Sequence, residues 1–344
     1  MLASKKSSTL QRKATLRDVG LLAKVDPSLV SRVLNNDPNA TASPATRARI
    51  ISAAKKLNYT TNFSARNLKM ARTLTIGLLL PDLTNPVNDL VAHGVQERAA
   101  ELGYGVIIAN HSDIGGDRTI SQMLTQGHVD GVIAFVHSIN DAFMEDLSRN
   151  SNGRILPMNG KIKGIDSSVS LDDPKAAEMC VEHLVDLGHR KIVGIFASMS
   201  NDSPKRRVVG FKKACARYNI QPNIVFTQGY SSHDGYLATL EAITKYSPTA
   251  IFPSSNSYAL GTYRALYEKK FRIPEDVSVI TLHNSALTEY LSPPLTSVRL
   301  PAEEMGKVSA EKLIDMLNGK KIKHLIVDGK PSLVLRGSTA QIKN

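Results

Sequence analysis

Ser28, Leu29, Ser31 and Arg32 occupy the free edge of a short amphipathic helix. An arginine on such an edge can donate two parallel hydrogen bonds to guanine in the major groove of DNA. The elements that would position it lie in residues 15–35, TLRDVGLLAKVDPSLVSRVLN. Val19, Leu22 and Ala23 share a face at i, i+3, i+4 spacing, and so do Val30, Val33 and Leu34. Between them, Asp26-Pro27 marks a helix start, with Asp as the N-cap acceptor and Pro suited to the first helical position. The second helix then turns its apolar side to the first, as in a helix-turn-helix that seats a reading edge in a groove. Taken alone, the pattern also fits a small amphipathic helical pair.

Charge separates these readings. The 344 residues carry a formal net charge of +12, unevenly placed. Residues 1–72 hold 14 Lys and Arg against three acids, Asp18, Asp26 and Asp37, whereas the remainder holds 29 basic and 28 acidic residues. Such concentration is an electrostatic footprint for phosphate. Lys5, Lys6, Arg12 and Lys13 sit on a polar tail, read as a disordered basic arm over 1–14 that either adds nonspecific phosphate contact or is inert. That tail has no apolar core segment and does not read as a secretory signal. No apolar run approaches the 18 or so residues of a membrane span. Two cysteines, Cys180 and Cys215, suit a reducing compartment and read as core residues. These features point to a cytoplasmic protein.

A third helix begins at Ser43-Pro44, with Ile50, Ile51, Ala54 and Leu57 as its buried stripe. NFSARNLK, 62–69, can form two helical turns but holds too few apolar residues to pack unaided, so it orders only against a partner. Leu68 within it is either a linker leucine on the next domain or a wedge entering the minor groove between base steps. From Thr73 the texture changes. Apolar strand-length runs at 75–80, 105–109, 131–136, 191–196, 250–253 and 277–282 alternate with helical patterns at 88–102, 174–187, 205–218 and 259–269. Near-continuous apolar strands between helices predict parallel sheets covered on both faces, in two units starting near 74 and 168. Their strand carboxyl ends should face a shared cleft.

Signals for catalysis are weak. There is no phosphate-binding P-loop motif, Gly103-Tyr104-Gly105 reads as a helix end, and the nine histidines show no metal-ligand spacing with a carboxylate. His183 and His189 read as structural, and His233-Asp234 as a loop pair without a nucleophile. No enzymatic activity, cofactor or metal is expected.

Several stretches carry a specific likeness: TLRDVGLLAKVDPSLVSRVLN (15–35), IGLLLPDLTNP (76–86), HVDGVIAF (128–135), EHLVDLGHRKI (182–192), IPEDVSVI (273–280), LSPPLTSVRLPAEEMG (291–306) and LVLRGST (333–339). In this order they resemble the lactose-repressor/galactose-repressor (LacI/GalR) family of bacterial transcription regulators, from about Thr15 to Ser338. The resemblance implies a small all-α helix-turn-helix headpiece and an α/β periplasmic-binding-protein-like core of two Rossmann-like subdomains. The headpiece would span 15–61, a hinge helix and linker 62–73, and the core 74–340. Within the core, the N-subdomain would take about 74–167 and 297–328, and the C-subdomain about 168–296 and 329–340. Three crossovers would join them, with Pro293-Pro294 and the following stretch at the last. It further implies a homodimer on a near-palindromic operator, rather than a tetramer, because no heptad tail follows the final strand. A solute-binding module without a DNA role is the competing class.

The likeness also implies site residues. DNA-facing positions are Thr15, Arg17, Pro27, Ser28, Leu29, Ser31 and Arg32 in the headpiece and Asn62, Ala65 and Leu68 in the hinge. Leu29 stands where Thr is usual. Lys24 replaces the usual turn glycine or asparagine, which costs strain if its φ is positive. Effector-facing positions are Asp82, Asn85, Phe135, Asn159, Lys205, Tyr230, Asn256 and His283. Asn159, Asn256 and His283 stand where sugar-binding members often carry Asp, while Lys205 stands where an arginine commonly meets the ligand. Loss of acceptors with a retained cation points to an anionic or weakly hydroxylated effector. The rival reading is a cleft that binds nothing or answers to a protein partner. Leu68→Ala should weaken operator binding in a gel shift while circular dichroism shows a folded core; unchanged affinity removes the wedge role.

Overall fold

The computed structural model describes residues 14–35, 37–59, 72–81, 85–110, 122–136, 153–199 and 201–342. The basic arm up to residue 13 and the hinge positions Asn62, Ala65 and Leu68 lie outside them. The chain divides into two units, Met1–Ala71 and Arg72–Asn344.

Among the described residues, the first unit contains three helices, α1 (Leu16–Ala23), α2 (Pro27–Leu34) and α3 (Pro44–Lys56). Each start follows from its cap. Thr15 and Asp18 form a reciprocal capping box on α1, Asp26 accepts from the Ser28 N–H at 2.7 Å, and Ser43 accepts from the Thr46 N–H at 3.2 Å. Proline occupies the first position of α2 and α3. Val19, Ala23, Val30, Val33, Ile50 and Ala54 bury together. Two expected core residues are excluded: Leu22 is 44% exposed and Ile51 57% exposed, and Ala53 fills the second place on α3. Three short helices enclose a narrow apolar centre, so only the innermost residue of each pair is covered.

The second unit holds two six-stranded sheets. The first contains β1 (Thr75–Leu80), β2 (Gly105–Asn110), β3 (Gly131–Phe135), β4 (Ile155–Met158), β5 (Ser168–Ser170) and β11 (His324–Ile326), in the order β11-β5-β4-β3-β1-β2. Its pairings are parallel. The second contains β6 (Ile192–Ala197), β7 (Asn223–Thr227), β8 (Ala250–Pro253), β9 (Ser278–Leu282), β10 (Thr296–Arg299) and β12 (Ser332–Val334), in the order β12-β10-β9-β8-β6-β7. Here β12 alone runs antiparallel, against β10. The described core helices are α4 (Pro86–Glu101), α5 (Asp173–Asp186), α6 (Asp202–Arg217), α7 (Ser232–Tyr246), α8 (Asn256–Glu268), α9 (Ala286–Tyr290) and α10 (Ala302–Leu317).

The chain passes between the sheets after β5, after β10 and after β11, which makes three crossings. Two boundaries differ from expectation. Ser168–Ser170 belongs to the first sheet rather than the second subdomain, and residues 297–299, in β10, belong to the second sheet rather than the first subdomain. Pro293-Pro294 likewise lies inside the second subdomain, where Tyr263 Oη donates to the Pro293 carbonyl at 2.9 Å and the Gly337 N–H to that of Pro294 at 3.0 Å. The crossings themselves are the short stretches 171–172, 300–301 and 327–331.

In each sheet the strand order reverses around the first strand, β1 between β2 and β3, and β6 between β7 and β8. A crevice opens at the carboxyl ends of strands at such a switch point. Cys180 and Cys215 are fully buried, as expected. His189 is pinned by Thr249, Ser278 and the Ala340 carbonyl, and His183 meets Thr339 at 3.0 Å. Asp234 closes a capping box with Ser231 at the start of α7.

Lys24 ends α1 in the left-handed region, with φ 52° and ψ 49°. A Cβ there costs roughly 1–2 kcal/mol. Lys24→Gly should slow hydrogen exchange at the Val19 and Val30 amides by about fivefold, the equivalent of about 1 kcal/mol; unchanged or faster exchange contradicts the strain.

Candidate nucleic-acid interface and effector cavity

In the first unit, Arg32 and Ser28 are exposed on α2. Hydrogen bonds from Ser28, first through its side chain and then its backbone, hold the Asp26 carboxyl below its ordinary value, so the cap is ionised at the start of α2. Arg17 is exposed on α1. Thr15 is exposed but committed to its cap, with Oγ1 donating to Asp18 Oδ2 at 2.7 Å. Pro27 is half-buried at the first position of α2. Leu29, expected outside, is half-buried and packs against the small core. Ser31 is half-buried, and Asn35 Nδ2 donates to its carbonyl at 2.7 Å. Two basic residues of α3 serve the fold: Arg49 Nε donates to the Ala23 carbonyl at 3.1 Å, and Arg47 Nη2 to that of Ala40 at 2.8 Å. Arg32 and Arg17 are thus the expected contacts that combine exposure with a charged end, while Ser28 is exposed but engaged with Asp26.

In the second unit a cavity of about 110 Å³ opens at the strand carboxyl ends. Pro81, Asn85, Asn88, Phe135, Asn159 and Met305 line it from the elements around the first sheet; Ala197, Arg207, Tyr230, Ser254, Asn256 and His283 line it from those around the second. Of the expected positions, Asn85, Phe135, Asn159, Tyr230, Asn256 and His283 meet here. Asp82 lies outside the described residues. Lys205 is exposed and does not line the cavity. Arg207, two residues on, does. The buried positions of α6 include Pro204, Arg207, Val208, Phe211, Ala214 and Cys215. This stripe at i, i+3/i+4, i+7 spacing puts 207 on the inner face and 205 on the outer. That periodicity was available in the sequence and would have identified Arg207.

Arg207 is fixed by three bonds. Its Nε donates to Asp173 Oδ1 at 2.7 Å, Nη1 to the Ser254 carbonyl at 2.9 Å, and Nη2 to His283 Nε2 at 3.1 Å. Asp173 was not anticipated; its signal is that a buried guanidinium requires a counterion. It is fully buried, and its Oδ2 accepts from Arg206 Nη2 at 2.6 Å. Burial alone would raise its pKa, but the charges of Arg207 and Arg206 and their hydrogen bonds overcome this and hold it below the ordinary value. Arg206 also pairs with Asp202, so these four charges balance. The close approach of helices that creates the cluster requires Gly210. A Cβ there would stand 2.1 Å from the Pro174 carbonyl oxygen.

Burial, helped by the Arg207 charge and partly offset by Asp173, pushes the His283 pKa down to about 3. The ring is therefore neutral. Because Nε2 accepts from Arg207, the proton resides on Nδ1, a buried nitrogen without a hydrogen-bond partner among the described residues. Asn256 is satisfied internally: its amide nitrogen donates to the Leu282 and His283 carbonyls at 3.2 and 3.0 Å, and its oxygen accepts from Ser285 Oγ. Asn85 caps α4 by accepting from the Val87 N–H at 3.1 Å. Tyr230 Oη accepts from Asn201 Nδ2 at 2.8 Å, and burial raises its pKa. Among the described lining residues Arg207 carries the charge and there is no carboxylate.

One metal-type grouping departs from the sequence reading. His93 and Glu97 are spaced i, i+4 on α4, and with Glu303 their ligand atoms lie within 4.8 Å of one another. Lys307 Nζ stands 2.8 Å from Glu97 and 3.1 Å from Glu303, in the place a cation would take.

Two family models match the chain: "Bacterial regulatory proteins, lacI family" over residues 15–62 and "Periplasmic binding protein-like domain" over 181–339. Among relatives, the "HTH-type transcriptional repressor PurR" of Vibrio vulnificus is 30% identical over 334 residues, 96% of this chain and 99% of the relative. The "Ribose operon repressor" of Escherichia coli is 28% identical over 332 residues, 94% of this chain and 99% of the relative. Among solved structures, the Lac repressor dimer bound to operator and the anti-inducer ONPF matches with a TM-score of 0.81 and 26% identity, covering 96% of this chain and 100% of that one. The headpiece and the two-sheet core share its fold. From the capped reading helix to the paired sheets, this chain belongs to the lacI family of bacterial regulatory proteins and carries that family's DNA-binding domain.

Proposed function

We propose that this protein represses transcription by binding a near-palindromic operator as a homodimer, under control of a small molecule taken into the core cavity. The observation that carries the DNA half is the capped helix α2 with Arg32 on its exposed edge, inside the stretch that holds nearly all the excess positive charge. Arg32, Ser28 and Arg17 face the DNA, and the Lys and Arg residues of 1–72 supply salt-sensitive affinity. Asn62, Ala65 and Leu68 would meet the minor groove, with Leu68 at the central step. The relatives reported above are repressors, and the Lac repressor structure is a dimer bound to its operator, which agrees with this reading. A DNA target agrees with a site of action in the cytoplasm, at the nucleoid.

For the cavity, the polarity of the wall decides between ligand classes. Sugars need acceptors as well as donors, and similar solved structures include complexes with cellobiose and ribose. Here Arg207 has spent three of its five N–H groups, and His283 holds an unpartnered N–H. An anionic or acceptor-edged molecule with few hydroxyls satisfies such a wall, because an unmet buried donor costs about 1–3 kcal/mol. A cleft that had lost its ligand would have no use for that buried donor. The histidine on the wall is neutral and its Nε2 is occupied, which suits binding rather than catalysis.

Arg32→Ala should relax sequence preference at one position of each half-site, by about 1–3 kcal/mol against the preferred base. Binding selections from a random duplex library read this directly; equal weakening on all DNA would make Arg32 a phosphate contact. Calorimetry of the full chain with sugar phosphates, plain sugars and nucleobases should give its strongest heat with a phosphorylated or acceptor-edged compound. Arg207→Gln should then lose affinity by on the order of tenfold or more, the scale of a charged hydrogen bond. Tight binding of an uncharged hexose would overturn the ligand class.

A further inference from the structure

Arg206 shares Asp173 with Arg207 but does different work. Its Nη1 pairs with Asp202 and its Nη2 with Asp173, both on the second-subdomain side. The same Nη2 donates to Asn159 Oδ1 at 3.1 Å and lies 3.5 Å from the Asn159 carbonyl oxygen. Asn159 belongs to the first subdomain: it follows β4, and its N–H donates to the Val169 carbonyl at 2.7 Å. Its backbone is left-handed, φ 58°, which an asparagine tolerates better than most residues. Asn159 Nδ2 is also 3.5 Å from Ser203 Oγ. Arg206 is only 19% exposed, and the carboxylate behind it is fully buried, so its guanidinium has little freedom to move away.

We propose that Arg206 is a latch that sets the closure of the two subdomains by carrying the second subdomain's buried carboxylate pair onto Asn159 of the first. Asp173 joins this latch to the cavity, because its other oxygen holds Arg207. Arg206 is thus a positioning residue: it touches neither the cavity nor DNA, and acts through Asn159 and Asp173. The link from latch to ligand rests on the effector reading above; the latch itself does not. A lysine could keep the charge opposite Asp173, but its single ammonium cannot reproduce the planar fork that reaches three partners.

The test uses spin labels on introduced cysteines at two exposed sites, Leu102→Cys beside the first sheet and Lys270→Cys beside the second, in the full chain without ligand. Cys180 and Cys215 are buried and should not react. Dilution with unlabelled chain isolates the distance within one molecule. The latch predicts one narrow distance in the otherwise unaltered protein. Arg206→Ala and Asn159→Ala should each shift or broaden it, and the double variant should add nothing beyond either. Arg206→Lys should broaden it as well while unfolding close to the parent temperature. If Arg206→Ala does not fold, Arg206→Lys and Asn159→Ala decide. Distributions unchanged in both, or a shift with Arg206 variants but none with Asn159→Ala, would overturn the latch. No ligand enters the measurement, so failure of the effector reading leaves its outcome untouched.

Discussion

The core is organised around one buried carboxylate. Asp173 has no exposed surface, and a charge so placed is tolerated only with close partners and complete hydrogen bonding. Arg206 supplies one partner and Arg207 the other, one oxygen each. That demand explains why α5 and α6 meet backbone to backbone at Gly210, and why three consecutive cations on α6 behave differently. Lys205 is in water, Arg206 reaches the first subdomain and Arg207 enters the cavity wall. The chemistry of the cavity follows from the same carboxylate. Arg207 is oriented by it, and His283 is kept neutral beside Arg207, with its remaining proton on the buried Nδ1.

The DNA-binding unit obeys a different constraint. Its core is small, so local capping must supply much of what burial cannot. Thr15 with Asp18, Asp26 and Ser43 each satisfy N–H groups that the first helical turn leaves free. Arg47 and Arg49 are drawn onto backbone carbonyls and hold α3 to the rest. Positive charge here is both footprint and scaffold. Few polar side chains stay exposed on α2, and Arg32 is the strongest donor among them.

Much of this was legible from residue order. Cap-then-proline signals located α2 and α3, and apolar runs located β1, β2, β3, β6, β8 and β9 within a residue or so. The misses have physical causes. β5, β11 and β12 are three residues each, too short for a periodic signal, and β5 moved one subdomain boundary because it pairs with β11, far along the chain. Leu22 and Ile51 have the spacing of core residues but exceed what a three-helix centre can cover. At the cavity, family correspondence directed attention to Lys205, whereas helical periodicity favoured Arg207. Asp173 could not be seen locally, since the aspartate before it caps the helix and the two look alike in sequence. Only the arginines brought from 33 and 34 residues away distinguish them.

The most direct measurement of the central claim is the stability of Asp173→Asn in the full chain. An asparagine keeps the volume and removes the charge, leaving Arg207 buried with no carboxylate. Denaturant unfolding of the core should show a loss of roughly 3–5 kcal/mol, the scale of breaking one partner out of a buried ion pair. A core as stable as the parent would contradict the account, because Asp173 would then be a bystander rather than the charge around which the cavity is built.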